Sequence, residues 1–269
     1  AFNISRDGVL SAIVGASEQV FAAAYAQNGY WADHWEYTLD LLDNYVGIYP
    51  EMEDSFLWEN SSIPFFMSPA YVKTRDERYS LVDNPNNPGT STIRVYNAVS
   101  SWGDAGFSGA RQEALNAIYS SPDYVADASG NGGVWQRAVD GSIFKVAPVT
   151  KFLMLGVLKF STMDPFGMGI EMEGGKPGWN DAMNGLPGLL GSGMPELYEA
   201  LRILSYVRKV VGKTWNSVHV PAEFSTLLSG LHDAMLQYSA NVLLVGASKA
   251  DFSYWDASND AREAYRSSV

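Results

Sequence analysis

The chain has 269 residues, enough for one large domain or two modest ones with a buried core. Its 18 Lys and Arg against 30 Asp and Glu leave a formal charge of −12, which argues against a nucleic-acid backbone binder and against adhesion to anionic membranes. A hydrophobic content of 46% with only 18% charged residues excludes general disorder, and the lack of cysteine removes disulfides, thiol catalysis and zinc–thiolate sites.

Aromatic residues make up 13% of the chain, with 8 Trp, 15 Tyr and 12 Phe. Part of this is ordinary core. An acidic, Trp-rich, cysteine-free composition also matches carbohydrate-active enzymes, in which the apolar faces of sugars stack on aromatic rings. The opening AFNISRDG lacks Met and the basic-then-apolar pattern of a signal peptide, so the chain reads as starting inside something longer or as processed. The most apolar stretch, Phe152 to Phe160, is broken by Lys151 and Lys159 and falls far short of a bilayer span.

Taken in order, the first element is a helix capped by Ser5 or Asp7 and running to about Gln27, with Val9, Ile13, Val20, Phe21 and Tyr25 on its apolar stripe. A second helix spans Asp33 to about Ile48, with Leu39, Leu42, Tyr45 and Val46 near one face, and Pro50 stops it. From Glu51 to Ser108 the helical period dissolves. Pro64, Pro69, Pro85 and Pro88 with Asn84, Asn86, Asn87 and Gly89 make a turn-rich excursion, in which Ser91 to Val99 reads as a short strand or hairpin arm. Irregular connections of this length usually line or cover a site. The charged run KTRDER, Lys73 to Arg78, reads as a solvated face.

Helix resumes at Ala110 to Ser120, and a Gly/Ser/Asp-rich link follows at Asp127 to Gly133. Residues 142–161 read as helix, with Pro148 in a first turn or at a kink. Three further helices start at Pro195, Pro221 and Asp251. The first carries Leu197, Leu201, Leu204, Tyr206, Val207 and Val211 as a broad apolar band. Long helices in consecutive pairs, with little strand, predict an all-α fold. A plain bundle fits the pattern, but an α/α toroid is preferred, because a toroid builds its active centre from rim loops and the loops here hold the polar and aromatic residues.

The richest stretch is Asp164 to Glu196, DPFGMGIEMEGGKPGWNDAMNGLPGLLGSGMPE, whose Gly and Pro content forbids a regular element. It carries the acids Glu171, Glu173 and Asp181, the cation Lys176 and the ring of Trp179. Two readings stand: a structural loop in which Asp181 caps a short helix, or glycosidic-bond chemistry. An acid held beside an indole and partly desolvated is suited to protonating a leaving oxygen. Hydrolysis with inversion needs a second carboxylate to activate water, for which Glu171 and Glu173 are the local candidates. Phosphorolysis needs none, because phosphate is already an anionic nucleophile, but it does need a cationic or amide-rich pocket.

The run GKPGWNDAMNGLPGLLGSG resembles the catalytic loop of glycoside hydrolase family 94, the inverting glycoside phosphorylases, and is nearest the branch of 1,2-β-oligoglucan phosphorylases. Gly178 stands before the Trp where cellobiose- and chitobiose-type members have Asp. The resemblance implies that Asp181 of Trp179-Asn180-Asp181 is the general acid, with Trp179, Asn180, Lys176 and Glu173 about the sugar. The run Gly29 to Tyr37, followed by Leu39 to Leu42, is similar to the first barrel hairpin of that branch and implies donor-sugar contacts from Asp33, His34, Trp35 and Asp40. Tyr254 to Val269 resembles a barrel helix.

By this resemblance residues 1–269 are an incomplete segment of one (α/α)₆ catalytic barrel, with 51–108 and 164–194 as irregular active-site loops. The implied reaction is phosphorolysis of β-1,2-linked glucooligosaccharides, with inorganic phosphate as co-substrate and no metal or organic cofactor. The family's phosphate positions match none of Arg75, Arg78, Arg94 or Lys176. The implied partners are a β-glucan oligosaccharide, phosphate and a polypeptide completing the barrel, in an oligomer located in the cytoplasm. The alternatives are an inverting hydrolase or transglycosidase on the same scaffold, and a non-catalytic glucan-binding relic.

Overall fold

The computed structural model describes residues 5–17, 33–67, 71–96, 99–100, 113, 116–117, 120–126, 132–171, 191–214 and 217–269. Six helices organise them: α1 (Arg6–Gly15), α2 (Asp33–Ile48), α3 (Pro148–Phe160), α4 (Met194–Thr214), α5 (Ala222–Val245) and α6 (Ala247–Ser268). Ser5 caps α1, its hydroxyl accepting from the Gly8 amide at 3.1 Å. The helix ends at Gly15 with Ala16 as its C-cap, short of the expected run to Gln27, of which residues 18–27 lie outside the described residues. No residue of α1 is buried. The helix is held instead by Arg6, which donates to the Ile48 carbonyl and to Glu51 and lies 4.3 Å over the Tyr49 ring.

The structure corrects the all-α expectation. Between α2 and α3 the chain forms short antiparallel ladders from β1 (Ile63–Pro64), β2 (Phe66–Met67), β3 (Tyr71–Val72), β4 (Tyr79–Asp83), β5 (Thr92–Tyr96), β6 (Val99–Ser100), β7 (Val125–Ala126), β8 (Gly132–Trp135) and β9 (Lys145–Val146). Strand β2 pairs with β8 and β8 with β7, while β1 pairs with β9, β3 with β6 and β4 with β5. A last pair, β10 (Ile170–Glu171) with β11 (Ser192–Gly193), lies between α3 and α4. The fold is therefore mixed, and among the described residues the helices form no closed ring, so the (α/α)₆ toroid is withdrawn. Two-residue strands leave no period-2 signature, and β1–β9 and β2–β8 join segments some 70 to 80 residues apart, out of reach of any local pattern. Ser91 to Val99 does supply a hairpin arm, as β5. The stretch before Pro148 is not helical: Ile143 bridges Arg137 and residues 145–146 are β9, so Pro148 opens α3 at its first position, where its missing N–H costs nothing.

The core has two parts that share α3. On one side Val149 and Phe152 pack with Leu39 and Leu42 of α2, with Leu57, and with Ala200, Ile203, Val207 and Val210 of α4. On the other, Met154 and Val157 meet Phe224, Leu227 and Leu231 of α5. The buried stripe of α4 is thus rotated from the expected band, sharing only Val207 with it, and Leu201 is 61% exposed. Helices α5 and α6 form a hairpin turning on Gly246, whose φ of 84° suits glycine. Within that hairpin a Cβ at Gly230 would come within 2.9 Å of the Ala261 Cβ, a backbone-fixed neighbour. Gly230→Ala should therefore destabilise the protein by about 1–3 kcal/mol despite its gain in helix propensity, read as a lower urea midpoint.

A buried carboxylate joins the segment after α2 to α4. Glu53 is 7% exposed and accepts from Tyr206 Oη at 3.0 Å and Lys213 Nζ at 3.1 Å. Burial alone would raise the Glu53 carboxyl, but the hydrogen bonds from Lys213 and Tyr206 together outweigh it and hold the group below the ordinary carboxylate value. A lowered folded-state value stabilises above the unfolded value of about 4.3 and loses its effect as pH falls through the folded value. Wild type should exceed Glu53→Gln by about 1–2 kcal/mol above about pH 5, with the gap closing as the pH is lowered toward 3, in unfolding curves taken across that range.

Candidate functional site

Segment 172–190, which contains the Trp179-Asn180-Asp181 run, lies outside the described residues, but the two ends from which it departs are defined. The first end is built by turn chemistry. In Asp164-Pro165-Phe166-Gly167 the Asp164 Oδ1 accepts from the amides of Phe166 at 2.9 Å and Met168 at 3.0 Å, and Gly167 takes φ 66°. Asp164 Oδ2 accepts from the Ser192 hydroxyl, so the same carboxylate grips the returning chain. Ladder β10–β11 then sets Ile170 opposite Gly193 and Glu171 opposite Ser192. The strands close to a neck so tight that a Cβ at Gly193 would overlap the Glu196 carboxylate, and one at Gly169 would lie 3.0 Å from the Gly193 carbonyl oxygen. The Glu171 amide donates to the Thr162 carbonyl at 2.8 Å, tying the neck to the turn after α3.

Beside the neck stands a junction of charged groups. Glu171 Oε1 accepts from Trp255 Nε1 at 2.8 Å, and Oε2 accepts from Arg75. The Arg75 guanidinium lies 4.9 Å from the centre of the Trp255 ring, so one indole both donates to the acid and stacks on its counter-ion. The Arg75 amide donates to Glu263 Oε2 at 2.8 Å, and Glu263 Oε1 accepts from Arg266 at 2.9 Å and Arg262 at 3.3 Å. Arg262 is 1% exposed and donates to the Ser161 carbonyl and to Asn259. The reading of KTRDER as a solvated face is corrected here. Thr74 and Arg78 are buried, Arg78 Nε donates to the Lys73 carbonyl at 2.9 Å, and Arg75 is committed to the junction.

The other expected site residues separate into three groups. Lys176, Trp179, Asn180, Asp181 and Glu173 fall outside the described residues. Asp33, His34 and Trp35 form the start of α2, where only the backbone is described. Asp40, on the same helix, is exposed and accepts from Arg202 at 3.1 Å, beside Asp43, which takes the same guanidinium. Sequence reasoning singled out Glu171 and Arg75 but missed Trp255 and Asp164. The Asp-Pro-x-Gly turn was the available signal for Asp164, whereas nothing local marks Trp255, which lies 84 residues from its acid. Among the described residues no group of three His, Asp or Glu side chains is arranged to hold a metal ion, and no helix is long and apolar enough to cross a membrane.

No protein-family model, curated protein or solved structure matches this chain. The family term attached to the 164–193 run, with the toroid that accompanied it, is therefore corrected to a mixed α and β chain without a matched family. The junction itself is testable. Trp255→Phe keeps the ring over Arg75 but removes the donor to Glu171, and should lower stability by about 1–2 kcal/mol. In a Glu171→Gln background the same change should cost less, the difference being the coupling energy of a double-mutant cycle in urea.

Proposed function

We propose that this chain belongs to an enzyme that cleaves β-1,2-linked glucooligosaccharides by phosphorolysis with inversion, releasing α-glucose 1-phosphate. The observation that carries the reading is the Trp179-Asn180-Asp181-Ala182-Met183-Asn184 run within a glycine-rich segment. In this mechanism Asp181 protonates the glycosidic oxygen while phosphate attacks the anomeric carbon from the opposite face. Trp179 packs on the sugar ring, Asn180, Lys176 and Glu173 contact its hydroxyls, and Asp33, His34, Trp35 and Asp40 serve the donor sugar. No metal or organic cofactor takes part.

Glu171 supports phosphate rather than water as the nucleophile. Both of its oxygens accept hydrogen bonds, from Trp255 and from Arg75, which hold this acid in the structure of the neck. Hydrolysis or transglycosylation would then rest on Glu173 or on a group elsewhere. Exposed apolar side chains on α1, α2 and α4, among them Ile13, Leu41 and Leu201, favour a further polypeptide or second copy packed against this chain in the working enzyme. A cytoplasmic location fits a product that is a charged sugar phosphate.

The test is product analysis with β-1,2-oligoglucan, with and without inorganic phosphate. The expected result is α-glucose 1-phosphate in the phosphate reaction alone, with Asp181→Asn lowering turnover about 10²–10⁴-fold at an unchanged melting temperature. Glucose released without phosphate moves the activity to hydrolysis. Silence in both reactions overturns the proposal, and an Asp181→Asn protein that fails to fold makes Asp181 a helix cap.

A further inference from the structure

A cavity of about 230 Å³ opens at the N-terminal end of α3, far in sequence from the 164–193 run. Its floor is apolar, with Val146, Val149 and Val218, and Trp58 forms part of the wall. The walls are fixed: β1 pairs with β9, the Phe144 ring stacks on Phe65 at 5.5 Å, and Thr150 Oγ1 donates to the His219 carbonyl at 3.0 Å. The polar groups around it include a cation and hydrogen-bond donors. Lys145 and His219 stand exposed at the rim, and Trp58 Nε1 is buried with no acceptor. The N-cap of α3 is Ala147, which offers no side-chain acceptor to the first turn. Among the described residues no Asp or Glu lines the cavity.

The Lys145 ammonium beside the positive end of a helix dipole favours an anion between them. The apolar floor, in turn, gains from an apolar body that displaces water. We propose that this cavity binds a small carboxylate with an apolar body, of the aromatic or short-acyl class. The carboxylate sits at the rim between Lys145 and His219, and the apolar part rests on the valines. This site is independent of the phosphorolysis reading and stands or falls without it.

The test is titration of the purified protein by saturation-transfer NMR and calorimetry, with benzoate as the probe, benzamide as its neutral isostere and inorganic phosphate as an anion without an apolar body. Benzoate should saturate in the millimolar range, a strength that suits a ligand of this size. Benzamide should bind about fivefold or more weakly, and phosphate should not compete with benzoate. Lys145→Gln should weaken benzoate about two- to fivefold, as expected for an exposed charge pair. Ser217→Trp, at an exposed lining position, should abolish saturable binding while leaving the melting temperature unchanged. The proposal is overturned if benzoate fails to saturate by about 50 mM, a concentration well beyond millimolar affinity. It is equally overturned if benzamide binds as tightly, if phosphate displaces benzoate, or if either substitution leaves benzoate binding unchanged.

Discussion

Helix α3 is apolar almost all the way round, PVTKFLMLGVLKF, and such a helix is stable in water only when covered on more than one side. That constraint organises the rest of the structure. Helices α2 and α4 cover one face and α5 covers another, so segments from both ends of the chain must converge on thirteen residues near its middle. The approach to α4 is close enough that a Cβ at Gly156 would come within 2.9 Å of Ile203 and Leu204. The glycine gives up helix propensity there and gains contact between the two helices.

The ends of α3 carry the polar consequences of that burial. At the C-terminal end the carbonyl groups need donors, and two are supplied from afar. Arg262 of α6 donates to Ser161, and the Glu171 amide donates to Thr162. The first bond buries a guanidinium where the helix dipole is negative, and the second fixes the neck below segment 172–190. The arginines and acids around the neck then pair, with Glu263 and Glu171 as the two acceptors that hold Arg75, Arg262 and Arg266. At the N-terminal end the polarity is reversed. Lys145 stands near that end, and among the described residues no Asp or Glu lines the cavity beside it.

How much of this was legible follows from how local each cause is. The end of α2 and the start of α5 are written in the sequence, because Pro50 and Pro221 act within a turn of themselves, whereas the helix expected from residue 142 begins only at Pro148. The Asp164 turn was legible for the same reason. The engagement of Arg75 and the burial of Arg78 were not: a run of charges reads as solvated until its partners are known, and Glu263 lies 188 residues from the Arg75 amide it accepts from. The broad band predicted on α4 failed differently. Leu197, Leu201 and Leu204 share one face, but the buried stripe is rotated from it onto Ala200, Ile203, Val207 and Val210, so the smaller Ala200 is buried while Leu201 faces solvent. Apart from β5, read as a hairpin arm, the strands of residues 63–146 were hidden because most are too short for alternation to show, and β1–β9 and β2–β8 pair across long stretches of chain.

On the proposed reading, the neck bears on the choice between water and phosphate. Glu171 has one oxygen engaged by an indole N–H and the other by a guanidinium. The same engagement makes Glu171 a fixed structural charge at the base of a glycine-rich segment, where it draws α6 and the turn at 75–77 toward the neck. A chain that commits its nearest described acid to architecture leaves nucleophile activation to other groups. An anionic nucleophile such as phosphate asks least of them, since it arrives already charged and requires only positioning.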